Sequence, residues 1–271
     1  MKMAKNTLNI LAIILLLTSC NKFDKILKSN DYDAKYQAAM QYYNENSYSK
    51  AIQLFENLTL HYRGRDNAEE IAWYYGQALY KEKDYYMAGY QFKRFARQFP
   101  YSERLEEASF LSAYCKYMES PSYTLDQSLT REAVEEFEAF VERWPRSTHM
   151  PEVNRYLDEM RNKLMKKEYE IAYGYYYIEE YRAAYESLKN FINLYPEAPM
   201  RGDAMYYMLR SSYLYAIDSR EDKKRERLQQ VTADFDRVVS GITDPKQLAD
   251  AQNIYNKTRE ELAKMEARNE K

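Results

Sequence analysis

Aromatic residues recur along this chain at positions that share one face of an α-helix. Four segments have an aromatic residue at a first position and a tyrosine seven places later, and both lie on the same helical face as the residue at i+4. The first three segments begin 37 residues apart. The four triplets are Tyr36, Met40 and Tyr43; Trp73, Gln77 and Tyr80; Phe110, Tyr114 and Tyr117; and Tyr169, Tyr173 and Tyr176. The pattern predicts four successive helices, each with one largely aromatic face.

The residues around these helices follow the order found in tetratricopeptide (TPR) hairpins. The first unit resembles a TPR because it has Ala39 in helix A, Tyr48 at the turn, and Ala51 and Phe55 in helix B. Gly76 takes the small position of the second helix A, and small residues there let two helices approach closely. A period near 34 residues is typical of TPR arrays. The sequence therefore predicts an all-α fold, a right-handed superhelix of about five TPR-like helix-turn-helix repeats.

The repeats are predicted to form two halves. Repeats one to three occupy residues 33–145, and TPR-like repeats four and five occupy residues 146–243. A turn-rich insertion, Ser120 to Thr130, interrupts the third repeat. An extra helix, Pro151 to about Lys166, is expected before the fourth repeat. The fifth repeat, from Asp203, has no clear register.

An amphipathic helix is predicted in the tail, residues 244–271. Asp244 is suited to the N-cap and Pro245 to the first helical position. One seam follows at alternating spacings of three and four: Leu248, Ala251, Tyr255, Thr258, Leu262 and Met265. This seam could pair with a partner helix. Capping of the last repeat is favoured, because a terminal repeat must cover an otherwise exposed core.

The N-terminus has the pattern of a lipoprotein signal peptide, residues 1–19. Two lysines precede an apolar run of ten residues that is broken only by Asn9. A bilayer core of about 30 Å needs a longer helix, but the run fits a signal-peptide core. It ends in Leu17-Thr18-Ser19-Cys20, which resembles the bacterial lipobox. We therefore predict lipidation of Cys20 and a lipidated linker at residues 20–32; an ordinary cleaved signal that ends near a cysteine is the alternative.

Composition and motifs argue against several classes of function. The chain has 40 basic and 42 acidic residues, a formal charge of −2, so it lacks the electrostatic footprint of a nucleic-acid-binding protein. His61 and His149 lie in different repeats, and no Cys or His pair has metal-ligand spacing. None of the six glycines belongs to a phosphate-binding motif. The sequence therefore predicts no catalytic residue, no metal and no cofactor: the chain is not expected to be an enzyme.

The lipobox, the helix B endings and the insertion together resemble the BamD family, the TPR lipoproteins of the outer-membrane β-barrel assembly machinery. The endings are Gln98-Phe99-Pro100, Arg143-Trp144-Pro145 and Leu194-Tyr195-Pro196, and the insertion reads Ser120-Pro121-Ser122-Tyr123-Thr124-Leu125-Asp126-Gln127. Two further segments, Met150-Pro151-Glu152 and the run from Lys167 to Ala172, add to the likeness. The resemblance covers roughly residues 17–200, and the tail after about Gly202 departs from the family pattern.

The resemblance implies a periplasmic scaffold that is lipid-anchored in the outer membrane. Such a scaffold binds the periplasmic domains of BamA, the barrel-inserting protein, mainly through its C-terminal half. Other lipoproteins of the same complex are further candidate partners. The N-terminal repeats are associated with the C-terminal targeting strands of unfolded outer-membrane proteins. The residue directly after Cys20 is not the aspartate that signals retention in the inner membrane. The segment also lacks the paired acidic residues that resemble a signal for surface export. We therefore expect an orientation towards the periplasm.

The aromatic faces suggest where such a strand binds. Helix A lines the concave side of a TPR superhelix, so the first three triplets are expected to form one peptide groove. The predicted groove residues are Tyr36, Met40, Tyr43, Trp73, Gln77, Tyr80, Phe110, Tyr114 and Tyr117. Packing between neighbouring A helices is the alternative, and it is equally favoured for Trp73 and Phe110. Ligand contact is favoured for the third-position tyrosines, because a hydroxyl at a ring edge prefers water or a partner.

Two other functions fit a lipoprotein of this kind. Some glycan-capturing lipoproteins are built from TPRs and use aromatic platforms, although they are usually about twice this length with large insertions. A TPR lipoprotein can also scaffold peptidoglycan or other envelope proteins. Sequence alone leaves both alternatives open.

Overall fold

A computed structural model describes residues 22–269, so Cys20 and its lipobox lie outside the described residues. Within that range all regular structure is helical and no strand occurs, which confirms the all-α class. Residues 22–28 form α1. The other helices are α2 (Tyr32–Asn44), α3 (Tyr48–His61), α4 (Ala68–Glu82), α5 (Tyr85–Gln98), α6 (Leu105–Glu119), α7 (Ser128–Arg143), α8 (Met150–Tyr177), α9 (Tyr181–Leu194), α10 (Arg201–Ile217), α11 (Glu221–Val238) and α12 (Pro245–Asn269). A 3₁₀ turn, Val239–Gly241, follows α11.

The helices from α2 to α7 each pack on the next helix along the chain, as the TPR pattern predicts. Small residues make this close approach possible: Ala39, Ala51 and Ala88 are fully buried. At Gly76 a Cβ atom would lie 2.9 Å from the ring of Phe92, which is itself fully buried. The absence of a side chain at Gly76 therefore sets the approach of α4 to α5.

The same tight turn joins helix A to helix B in three repeats. Asn46, Lys83 and Glu179 have φ values of 58°, 67° and 64°, a left-handed conformation that is uncommon for residues other than glycine. At each turn the following amide donates to a carbonyl five residues back: Ser47 to Tyr42, Asp84 to Leu79 and Glu180 to Tyr175, at 2.8–3.0 Å. The left-handed residue itself donates three residues back, at 3.0–3.1 Å. These paired bonds make each turn a Schellman motif without glycine.

Each of α5, α7 and α9 ends at the aromatic-proline pair that the sequence indicates. The C-cap residues Phe99, Trp144 and Tyr195 share nearly one conformation, with φ between −124° and −127° and ψ between 61° and 70°. Each ring lies 5.1–5.2 Å from the aromatic ring four residues earlier in its helix. The proline that follows cannot continue the helix, since it lacks an amide hydrogen and clashes with the preceding turn.

The extra helix predicted from Pro151 to about Lys166 is not separate. It is continuous with helix A of the fourth repeat, and together they form the 28-residue α8. Pro151 stands in the first turn, where proline is tolerated, and no proline or glycine follows until Gly174. Nothing in the intervening sequence ends the helix.

The described residues group into two compact units that divide at residues 157 and 158, inside α8. The repeat pattern in the sequence predicts a division between residues 145 and 146. Residues 122–125 of the insertion belong to the second unit. The Lys167 ammonium donates to the carbonyls of Tyr123 and Leu125 at 3.2 and 2.8 Å, and this holds the insertion on α8.

In the second unit α10 packs on α9 and α11, so α10 and α11 form the fifth hairpin whose register the sequence left open. A fully buried carboxylate, that of Asp234 in α11, is shared by several helices. It accepts hydrogen bonds from Tyr185 in α9 at 3.3 Å and from Ser212 in α10 at 2.9 Å, and it pairs with Arg237 at 2.7 Å. This network fixes the position of α11.

The tail helix α12 begins as predicted, with the Asp244 carboxylate accepting from the amides of Lys246 and Gln247 at 2.9 Å. It packs on α10 and α11, which agrees with the capping interpretation. Ala251, Ile254 and Thr258 are buried. Leu248, the first residue of the predicted seam, is 39% exposed, because it lies in the first turn ahead of the contact.

Gly76→Leu is expected to lower the free energy of unfolding by about 1–3 kcal/mol, because the new side chain meets the buried ring of Phe92. Thermal and denaturant unfolding measure the change. Gly174→Leu is the matched control, since a Cβ atom at Gly174 meets no atom within 4 Å. That control should leave stability unchanged or raise it slightly through helix propensity. Equal stability of the two variants would contradict the packing assigned to Gly76.

Candidate peptide-binding surface

The first aromatic residue of the second and third triplets packs inside its own hairpin. The ring centroid of Trp73 lies 5.7 Å from that of Phe92 and 5.5 Å from that of Phe95, both in α5. Phe110 is only 7% exposed. Its ring contacts those of Phe137 and Phe140 in α7 and stacks on His149 at 3.9 Å. Phe110 therefore has little surface left for a ligand, which favours the packing alternative at that position.

The third-position tyrosines lie at the turn between the two helices of a hairpin. Tyr43 contacts Tyr48 at 5.6 Å, and Tyr80 contacts Tyr85 at 5.9 Å, each across a Schellman turn. The fourth repeat repeats the contact between Tyr176 and Tyr181, at 6.0 Å. The carbonyls of Tyr43, Tyr80 and Tyr176 each accept the bond from the left-handed residue of the turn, whereas that of Tyr117 accepts from Ser120, which is extended. The turn thus fixes where these rings stand.

The third-position rings also reach the next helix A. Tyr43 lies 5.2 Å from Tyr74 in α4, and Tyr80 lies 6.1 Å from Tyr114 in α6. Tyr117 lies 4.5 Å from Tyr156 in α8. All three keep part of their surface exposed. These half-exposed tyrosines, each in contact with a ring of the next helix A, form a row along the first unit.

Tyr74 and Tyr156, the partners that complete this row, are not identified by the aromatic spacing of the sequence. Tyr74 follows a residue of the second triplet directly, so it is off the i, i+4, i+7 pattern. Tyr156 lies in the part of α8 that was expected to be an extra helix. Whether these two rings join the row depends on the angle between neighbouring hairpins. The spacing of residues along the sequence does not specify that angle.

The remaining predicted groove residues, Tyr36, Met40 and Gln77, are half-buried, as is Tyr114. The Glu70 carboxylate in α4 lies near the hydroxyl of Tyr36. Burial, followed by this carboxylate, raises the pKa of Tyr36 to about 12. Burial also raises the pKa of Tyr80 to about 12. These tyrosines therefore stay neutral over the physiological pH range.

The surface has polar groups as well as rings. The guanidinium group of Arg104 lies 5.5 Å from the Trp73 ring centroid, a cation–π contact. Rings that are half-exposed bind apolar or aromatic side chains, and their hydroxyls can bond to a peptide backbone. Among the described residues no group of three or more His, Cys, Asp or Glu side chains is arranged to hold a metal ion. The arrangement suits an extended peptide.

Raising the pH from about 10 to about 12 is expected to lower the free energy of unfolding. The folded chain holds Tyr36 and Tyr80 neutral up to about pH 12, whereas in the unfolded chain they ionise near 10.0. Their contribution is therefore complete below pH 10 and is lost as pH rises through about 12. Denaturant unfolding at successive pH values measures the loss. Tyr36→Phe with Tyr80→Phe should reduce it, and an unchanged loss would mean that other groups cause the alkaline transition.

Among residues 22–269, no helix is both long enough and apolar enough to cross a bilayer. Among solved structures, the chain described as "MamA RS-1 ArsTM double mutant" is similar at 14% identity, over 76% of this chain and 95% of that chain, with a TM-score of 0.33.

A family profile described as "YfiO: Outer membrane lipoprotein", the BamD family, matches residues 28–175 and 168–269. The second match includes α10 to α12, so the expectation that the resemblance ends near Gly202 is wrong. The two matches together cover most of the chain. The chain therefore belongs to the YfiO family of outer membrane lipoproteins.

Proposed function

We propose that the chain is a non-enzymatic scaffold of the outer-membrane β-barrel assembly machinery. It is anchored through acylated Cys20, faces the periplasm, and binds the periplasmic domains of BamA through residues 146–243. Its N-terminal repeats, residues 33–145, bind the C-terminal strands of unfolded outer-membrane proteins. Membership of the YfiO family carries the proposal, because that family consists of outer membrane lipoproteins and is the BamD family.

The row of half-exposed tyrosines supports the strand-binding part of the proposal. Its rings repeat along α2, α4 and α6, so an extended peptide can contact several repeats at once. The strands in question end in aromatic and apolar residues, which pack well against tyrosine rings. The third-position hydroxyls can form hydrogen bonds with the peptide backbone. Because these hydroxyls are neutral, a bound peptide would bury no charge on them.

An exposed apolar surface in the second unit supports the BamA-binding part. Ile171 and Tyr175 lie one turn apart on α8, and Ile178 is the first residue after that helix; the three side chains are 50%, 38% and 62% exposed. Leu194 of α9 is 71% exposed and borders the same groove as Ile171. A cluster of large apolar side chains in water marks an interaction surface more often than an isolated one does. We call these four residues the α8–α9 surface.

Acidic residues predominate in the segment that contains most of the α8–α9 surface, and Lys167 and Arg182 flank that segment. Residues 168–181 include Glu168, Glu170, Glu179 and Glu180 and contain no lysine or arginine. A partner that covers this surface is expected to have an apolar centre and a basic rim. In this proposal the partner is a periplasmic domain of BamA.

Ile171→Ser combined with Ile178→Ser is expected to weaken BamA binding at least tenfold, because truncation of central apolar residues commonly costs more than about 1 kcal/mol each. Purified BamA periplasmic domains, titrated against the immobilised mature chain, measure the affinity. Tyr86→Ser with Tyr90→Ser is the matched control, since those side chains are 70% and 59% exposed but lie in α5. No binding by the parent chain would contradict the proposed function, whereas binding lost only in the control would contradict the assignment of the surface.

Replacing Tyr43, Tyr80 and Tyr117 together by Ser is expected to weaken binding of a peptide that ends in a barrel-type aromatic strand. Aromatic anchors commonly cost about 2 kcal/mol when truncated, so we expect a loss of at least tenfold. BamA binding should persist, since the α8–α9 surface is unchanged. Fluorescence anisotropy with a labelled peptide measures the affinity.

The control for this variant is the same triple substitution by Phe, which keeps the rings. Circular dichroism must first show that the Ser variant is helical, because these tyrosines also link neighbouring helices. Unchanged peptide affinity in a folded Ser variant would assign the rings to packing alone.

A further inference from the structure

The distance along the chain between the proposed anchor and the first helix is very short. Cys20 lies two residues before Lys22, where the described part of α1 begins. Two residues span at most about 7 Å. If Cys20 is acylated, as the proposed function holds, α1 cannot leave the headgroup layer of the membrane.

Helix α1 is attached to the first hairpin. Phe23 is 8% exposed, and its ring contacts that of Tyr42 in α2 at 5.7 Å. The ammonium group of Lys50 in α3 lies 5.9 Å from the Phe23 ring and 5.2 Å from the Tyr42 ring. A short anchor therefore holds the first hairpin, and not α1 alone, against the membrane.

The exposed side of α1 is basic. Lys22, Lys25 and Lys28 are exposed and recur every three residues, so they lie on one side of the helix, away from buried Phe23. Asp24 is the one acidic residue of α1. The net charge of this short helix is therefore positive, although that of the whole chain is −2.

A groove of about 760 Å³ lies between α1 and α2 beside these lysines. Its lining has hydrogen-bond donors and no carboxylate: Lys22, Lys25, Ile26, Ser29, Ala34, Gln37, Ala38, Gln41 and Tyr42. Gln41 donates to Glu45 at 2.8 Å, and Ser29 accepts from the Asp31 amide at 3.0 Å. Lys22 and Lys25, which line the groove, are both exposed. This set of groups fits a phosphate ester.

We infer that the basic side of α1 and the α1–α2 groove bind anionic phospholipid headgroups in the leaflet that holds the acyl anchor. The lysines contact headgroup phosphates, and the groove admits one headgroup. The acyl chains fix the chain to the membrane, and the headgroup contacts fix the orientation of the first repeat. One end of the row of tyrosines, at Tyr43, then stands near the membrane.

The test uses the mature chain from residue 20 with Cys20→Ser, so that acyl chains do not mask headgroup binding. Flotation with vesicles of phosphatidylglycerol and phosphatidylethanolamine measures partitioning, and vesicles of phosphatidylcholine are the neutral comparison. A basic residue near an anionic surface contributes roughly fivefold to partitioning. Lys22→Gln, Lys25→Gln and Lys28→Gln together should therefore reduce partitioning about 100-fold. The parent's binding should also weaken at high salt.

The matched control is Lys81→Gln, Lys246→Gln and Lys257→Gln, which removes the same charge at exposed positions outside α1. It should partition like the parent. Three results would overturn the inference: no partitioning of the parent, equal partitioning of the α1 variant, or equal binding to neutral vesicles. Displacement of the parent by millimolar inorganic phosphate would also overturn it, because the groove would then be a site for a free ion.

Acylation is tested separately, by incorporation of radiolabelled palmitate into the full-length chain and into Cys20→Ala. Label that enters the parent and not the variant supports the anchor on which the inference rests. Label absent from the parent, or present in both, would contradict the anchor of the proposed function. Vesicle binding by α1 is read independently of either result.

Discussion

A ring contact at one position closes three of the hairpins in this chain. The first aromatic residue of helix A meets a phenylalanine in the last turn of helix B, at 5.5 Å for Trp73 and Phe95 and at 6.0 Å for Phe110 and Phe140. In the second unit Tyr169 and Phe191 repeat it at 5.7 Å. Aromatic rings bury more apolar area than other side chains, so this contact contributes strongly to hairpin stability. The same phenylalanines also pack on the C-cap rings of their own helices. One ring therefore joins the end of helix B to the first aromatic residue of helix A.

The position of this contact decides what the other rings can do. Because the first aromatic residue is used inside its hairpin, a third-position tyrosine such as Tyr80 is left to meet the turn and the next helix A. A Schellman turn holds the carbonyl of that tyrosine, and its ring also contacts that of Phe92 in its own hairpin at 6.5 Å. The rings of this row therefore pack against neighbouring helices and also remain partly exposed to solvent. In our proposal a client strand binds that row.

The fifth hairpin is held in a different way. Its α10 and α11 share the buried Asp234 carboxylate, which accepts from Ser212 and pairs with Arg237. A buried carboxylate is stable only when its hydrogen bonds are satisfied, so this network specifies one arrangement of the helices. The sequence after Asp203 keeps the seven-residue aromatic spacing of the earlier repeats at Tyr206 and Tyr213. The fifth hairpin differs because polar residues that are distant along the chain, Ser212 and Asp234, bond to each other in its core.

The sequence by itself determined the helical fold, the ends of the B helices at Phe99, Trp144 and Tyr195, and the small contact residue Gly76. Each depends on local chemistry: proline ends a helix, and a missing side chain permits close packing. Only the tertiary structure decided that Phe110 is buried and that Tyr74 and Tyr156 complete the row of rings. Those features depend on the angle between neighbouring hairpins and on which face of a helix its neighbour covers. The angle and the covered face both arise from contacts between residues that are distant along the chain, so local sequence spacing does not reveal them.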